Sequence, residues 1–383
     1  MKNILVLMAI TFLPLNYSLK ENDLPLNDSL VKNQNGDKGI NAAGGLYTQS
    51  QKGTDANNTP KGWPWRGVCV TYSNAEGLNI NKDLPYLKSL GVNFISIYFR
   101  PKNFEISKNI NSTLAFQEDL KFVDSILDEC KVLNMFAMVY LSDFSTVSNK
   151  EFNPSSATFW ANKKALDLAY EEITRVINHF KNRGDELQAY QFVGEPLLER
   201  NGKYITPPNW DSLFLKVYNY AKDNDPQRFI LYTPGLGGGP KSYQNLKPIV
   251  DDPKIIYAFH YYLPHNYTHQ GIGMRNKKYT YPGVIDGQYW NKNTIENSIS
   301  DVVKFKNKYK KLIFVGEFSA TYNAQGCYEY INDLLSVIND NGFSYTYFIW
   351  KGYPGWAVFN NKKVSQRQTN MRLKLLSKYW KLD

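Results

Sequence analysis

Eight short runs of apolar, β-favouring residues, separated by amphipathic stretches, constrain this chain more than any other feature. The runs are RGVCVTY (66–72), VNFISIYF (92–99), MFAMVYL (135–141), LQAYQFV (187–193), RFILYT (228–233), IIYAFHYY (255–262), LIFVGEF (312–318) and YTYFIW (345–350). Most are apolar at successive positions rather than alternate ones, the pattern of a strand covered on both faces. In 165–180, Leu166, Ala169, Tyr170, Ile173, Val176, Ile177 and Phe180 recur at helical spacing, and Gly184 lies just beyond. Similar patterns occupy 114–133, 210–223, 294–308, 327–340 and 370–382. Doubly covered strands alternating with helices form parallel βαβ units. Eight units over about 320 residues predict an α/β fold, a closed (β/α)8 TIM barrel, rather than an open sheet. The stretch TYSNAEG after the first run is no G-x-G-x-x-G, so a dinucleotide fingerprint is missing from the first crossover.

The N-terminus reads differently. Lys2 precedes an apolar run from Ile4 to Leu15, too short to span a bilayer and suited to a signal peptide over residues 1–18. Residues 19–61, rich in Asn, Gly, Asp, Lys and Ser, read as a flexible linker. The barrel is expected over 62–383, in a secreted or periplasmic protein without stable membrane insertion once the signal is removed. A monomer is expected. Cys69, Cys130 and Cys327 are too few for a disulfide framework. The net charge of +10 is scattered, with one cluster at KFKNKYKK (304–311), and no nucleic-acid motif accompanies it. Nucleic acid is therefore not an expected partner.

Catalytic groups in such a barrel sit where strands end at the C-terminal face. YQFVGEPLLER puts Glu195 at the tip of strand 4, and FVGEFSA puts Glu317 at the tip of strand 7. His260 and Tyr262 share one face at the end of strand 6 by their period-2 spacing, and Trp350 closes strand 8. Two carboxylates entering one cleft suit glycoside hydrolysis, where one must be protonated and the other charged. The chain has four His, at 179, 260, 265 and 269, and no H-x-H on strand 1, so no metal and no other cofactor is expected. G-x-S-x-G is missing too.

At these residues the chain resembles the glycoside hydrolase family 5, the cellulase family of clan A, over roughly 63–380. YQFVGEPLLER is similar to the family's N-E-P strand, YAFHYYLPHNYTHQG to its His-x-Tyr motif and continuation, FVGEFSA to its nucleophile strand, and YFIWKGYPGWAVFN to its last strand. The resemblance implies a retaining endo-β-glycosidase acting on a polysaccharide or oligosaccharide, with Glu195 as acid/base and Glu317 as nucleophile. It further implies His260 and Tyr262 as hydrogen-bond partners and Trp350 as a stacking platform under the sugar. The carboxyl groups should stand about 5–5.5 Å apart. The competing expectation is a catalytically weak carbohydrate-binding protein on the same barrel.

Three positions depart from the family pattern. Ser96 stands where strand 2 of the family has Arg, with Arg100 able to reach the cleft from further out. The strand-3 His is replaced near Ser142, beside Asp143. Gly194 stands where the family has an Asn that contacts the sugar 2-hydroxyl, which suggests a substrate bulkier at C2.

Overall fold

The computed structural model describes residues 58–73, 77–142, 144, 157–200, 203–272, 277–353, 355–359 and 365–382. The expected signal peptide, nearly all of the expected linker, and Asp143 lie outside the described residues.

Eight parallel strands close into a barrel. They are β1 (Arg66–Val70), β2 (Phe94–Phe99), β3 (Phe136–Leu141), β4 (Leu187–Phe192), β5 (Phe229–Tyr232), β6 (Ile255–Tyr261), β7 (Ile313–Phe318) and β8 (Ser344–Tyr347). Each pairs with its sequence neighbours, and β8 closes on β1 through Arg66 opposite Tyr345. The expected helices form at Ser112–Val132, Lys163–Phe180, Trp210–Asn224, Cys327–Asp340 and Gln366–Trp380. The stretch expected as one helix over 294–308 is two, Lys292–Ser298 and Ser300–Tyr309. The β5–β6 crossover carries only two 3-10 turns, at Leu236–Gly238 and Pro240–Tyr243.

Two apolar layers follow from the strand alternation. Ile95, Ile97, Val139, Tyr190 and Val315 face outward and pack with the helices. Trp65, Cys69, Phe94, Met138, Ala189, Ile256, Ala258 and Phe314 fill the interior. The interior tapers in character along its axis. At the floor, Trp65 stacks on Phe94 with ring centroids 4.0 Å apart, and Phe314 meets Trp65 edge-on. Higher up the inward residues become small or polar (Cys69, Ser96, Gly316), and at the mouth they are Tyr98, Tyr140, His260 and Glu317. A filled floor below a polar mouth confines chemistry to the ends of the strands.

Candidate active site

Glu317 reaches the mouth because β7 is irregular. Val315 pairs with Phe259 and Glu317 with the next residue, His260, leaving Gly316 as the extra residue of a bulge. Phe314 and Gly316 face inward, and a Cβ on Gly316 would stand 3.1 Å from His260 Nε2. The bulge resets the alternation, so Glu317 also faces inward while Phe318 joins the outer layer. On β4 the chain turns at Val193, whose φ of 52° is unusual for a β-branched residue, and delivers Glu195 into the same mouth.

The two carboxylates meet across His260. Its Nδ1 lies 2.9 Å from Glu195 Oε1 and 3.9 Å from Glu317 Oε2. A ring nitrogen and one oxygen of each carboxylate all fall within 4.8 Å of one another. Such a triple has a donor set that can face a cation, and several of its atoms already hold hydrogen bonds. Glu317 Oε1 accepts from the Tyr98 hydroxyl and Oε2 from the Tyr262 hydroxyl, the latter at 2.9 Å. His260 Nδ1 is spent on Glu195, and no described residue bonds its buried Nε2.

The carboxylates differ in exposure. The Glu317 side chain is 12% exposed and that of Glu195 38%. Burial is the largest influence on Glu317 and raises its pKa; the charge of Glu195 adds to the rise. His260 and the bonds from Tyr98 and Tyr262 oppose it. For His260, burial lowers the pKa, but the nearby carboxylates outweigh it and the net shift is upward. Tyr98, Tyr140 and Tyr262 are held well above the ordinary phenol value, first by burial and then by nearby negative charge, so all three are neutral phenols, and Tyr98 and Tyr262 donate to Glu317.

A matching sequence profile decides the family: that of cellulase (glycosyl hydrolase family 5) fits residues 53–354. The chain belongs to glycosyl hydrolase family 5. It is a cellulase-like glycoside hydrolase. Endoglucanase C of Acetivibrio thermocellus is 23% identical over 313 residues, covering 74% of this chain and 84% of that protein. The fold is shared with a hyperthermophilic endo-β-1,4-glucanase solved with substrate, at TM-score 0.62 and 21% identity over 81% of this chain and 96% of that one. It is shared likewise with Thermotoga maritima Cel5A bound to mannotriose, at TM-score 0.62 and 15% identity over 82% and 97%.

Glu195, Glu317, His260 and Tyr262 thus converge at the mouth. The other expected residues fare differently. Trp350 is fully buried, with its ring against Phe359 and Tyr86 in the outer layer, so it offers no platform to a sugar. The reason is local: Phe348 and Ile349 both border the interior, the alternation slips by one, and Trp350 falls outside. The half-buried ring at the end of β8 is Phe348, beside Tyr353 and Tyr98. Arg100 caps the helix Pro101–Lys108, and its guanidinium bonds the Tyr353 hydroxyl at the rim. Tyr98, rather than Arg100, bonds the nucleophile candidate. Gly194 does not border an open space on its side-chain side, because the Tyr140 hydroxyl occupies the place of its missing side chain.

Tyr98 and Tyr140 were not singled out in the sequence, since each is one tyrosine within an apolar run. The signal was available: both sit at the last inward position of their strands and pair in register.

Proposed function

We propose that this enzyme is a retaining endo-β-glycosidase acting on a β-1,4-linked glucan or mannan, with Glu317 as nucleophile and Glu195 as acid/base. The supporting observation is the spacing of one oxygen from each carboxylate, within 4.8 Å. Retaining enzymes hold their carboxyl groups about 5–5.5 Å apart, whereas inverting ones leave about 6.5–9.5 Å for a water. Glu317, sealed and gripped by two hydroxyls, is placed to attack the anomeric carbon. Glu195, more open, gives its proton to the departing glycosidic oxygen. It then takes a proton from water, whose oxygen attacks the same carbon and frees the Glu317 carboxylate. His260 links the two through its bond to Glu195, and Phe348 takes the stacking place expected of Trp350. Internal cleavage and the substrate class follow the relatives' names. The apolar segment Ile4–Leu15 supports export, and no described helix is long and apolar enough to cross a membrane.

The test is hydrolysis of carboxymethylcellulose, mixed-linkage glucan and glucomannan, with product stereochemistry followed by proton NMR. The β anomer should appear first, and Glu317→Ala should abolish it. Initial release of the α anomer, or no turnover of any of these glycans, would refute the proposal.

A further inference from the structure

Arg228 and Arg372 are both buried, at opposite ends of the barrel, and they are held differently. Arg228 lies where β4 begins. It meets the Asp225 carboxylate at 3.2 Å and donates to the carbonyls of Arg183, Gly184 and Leu187. Arg372, on the helix Gln366–Trp380, bonds neutral groups among the described residues. Its Nη1 donates to the Tyr347 hydroxyl at 2.7 Å and to the Trp356 carbonyl at 3.3 Å. Its Nη2 donates to the Ala320 carbonyl at 3.0 Å and lies 3.7 Å from the Cys327 thiol. The guanidinium carbon stands 3.5 Å from the centroid of the Tyr322 ring. Burying a cation without a carboxylate beside it is costly. What the planar fork gains is a simultaneous hold on β8 and on the segments that follow β7 and β8.

Those segments lead to the mouth. Trp356 Nε1 donates to the Thr268 carbonyl at 3.1 Å, an oxygen that also accepts the Thr321 backbone N–H at 3.1 Å. Thr268 Oγ1 in turn donates to the Tyr262 carbonyl at 2.7 Å. The His269 ring stands between the two aromatics, edge-on to Trp356 at 4.9 Å and to Tyr262 at 5.1 Å. The Tyr262 hydroxyl bonds Glu317 Oε2. The chain after β6, β7 and β8 is thereby tied to one guanidinium from the last helix. Resting on the glycosidase reading above, we propose that Arg372 is a positioning residue for the reaction. Through Trp356 and Thr268 it fixes Tyr262 on the Glu317 carboxylate. Its own bonds stop short of both carboxylates, so it acts only through these intermediaries.

Arg372→Met keeps the length of the side chain and releases the segments it holds. Initial rates are measured on whichever of the glycans named above is hydrolysed fastest. The variant should lower kcat about tenfold with KM within about twofold of wild type. The acid limb of kcat/KM should move to higher pH, because the Tyr262 bond lowers the Glu317 pKa and is loosened. Tyr262→Phe should do the same, and adding Arg372→Met to it should cost less than about twofold more, since one acts through the other. Arg228→Met is the comparison: it should melt lower and keep kcat within about twofold. Losses that multiply in the double variant would overturn the proposal and leave the glycosidase reading intact. So would an equal fall in kcat in Arg228→Met, or a lowered Tm in Arg372→Met with kcat and acid limb unchanged. Wild-type enzyme inactive on all of these glycans would remove both. If Arg372→Met does not fold, Trp356→Phe carries the same cycle, because it cuts the indole bond to Thr268 and leaves the arginine in place. It should lower kcat at least about threefold alone and hardly at all in the Tyr262→Phe background. An equal loss in both backgrounds would overturn the proposal.

Discussion

The two sides of the barrel mouth surround the same carboxylates with different chemistry. On the side of β4, β6 and β7 stand the residue types the family resemblance implied: Glu195, His260, Tyr262 and Glu317. On the side of β2 and β3, the resemblance implied a basic residue at the position of Ser96 and an imidazole near Ser142, and this chain has neither at those places. There Tyr98 and Tyr140 supply hydroxyls from the last inward positions of their strands. Tyr98 donates to Glu317, whereas Tyr140 accepts the Gly194 backbone N–H. A neutral phenol satisfies a carboxylate oxygen but does not offset its burial as a guanidinium would. Glu317 is pushed upward in pKa by burial, a rise that nearby His260 opposes without cancelling it.

Four expectations bear on that contrast. Removing a charge should cost most: Glu317→Ala should lower kcat by about 10⁴-fold or more on any glycan hydrolysed. Glu195→Ala should lower kcat/KM by about 10²–10⁴-fold on a poor leaving group and far less on a dinitrophenyl glycoside, which leaves without a proton. A comparable loss on both leaving groups would contradict its role as the acid. On the tyrosine side, Tyr98→Phe should cost about 10- to 100-fold and move the pH profile. Glu317 must be charged to attack, and its pKa is raised from the ordinary 4.5, so activity falls as pH drops through that higher value. The Tyr98 bond lowers the pKa; its loss should shift the acid limb of kcat/KM to still higher pH. An acid limb that stays in place would show that the phenol does not hold the charge.

The smallest catalytic effect separates two aromatics near the end of β8. Phe348→Ala should raise KM with little change in Tm. Trp350→Ala should cost roughly 3–5 kcal/mol of stability, as a fully buried ring, and leave KM nearly unchanged. Urea unfolding and initial-rate kinetics on the two variants read both.

The barrel was legible because each of its strands is buried on both faces and reads as a continuous apolar run. Helix Ile80–Ser89 was not, since Pro85 lies inside it and its buried positions, Asp83, Leu84 and Leu87, include a carboxylate. The carboxylates were legible from their place at strand tips. What escaped was set by partners distant in sequence or by breaks in alternation. Gly194 looked like a vacancy because the hydroxyl that fills it comes from Tyr140, 54 positions earlier. Trp350 looked like a continuation of β8 because nothing in YTYFIW marks the slip at Phe348 and Ile349. The parity of Glu317 depends on the bulge at Gly316, which the run LIFVGEF only hints at through its glycine.

The central claim is that the buried, tyrosine-gripped carboxylate is the nucleophile and the open one is not. It is tested most directly by incubating the enzyme with dinitrophenyl 2-deoxy-2-fluoro-β-cellobioside and locating the trapped sugar by peptide mass spectrometry. The expected result is a single glycosyl adduct on Glu317. An adduct on Glu195 instead, or complete turnover of natural glycans with an inverted first product and no adduct at all, would contradict it.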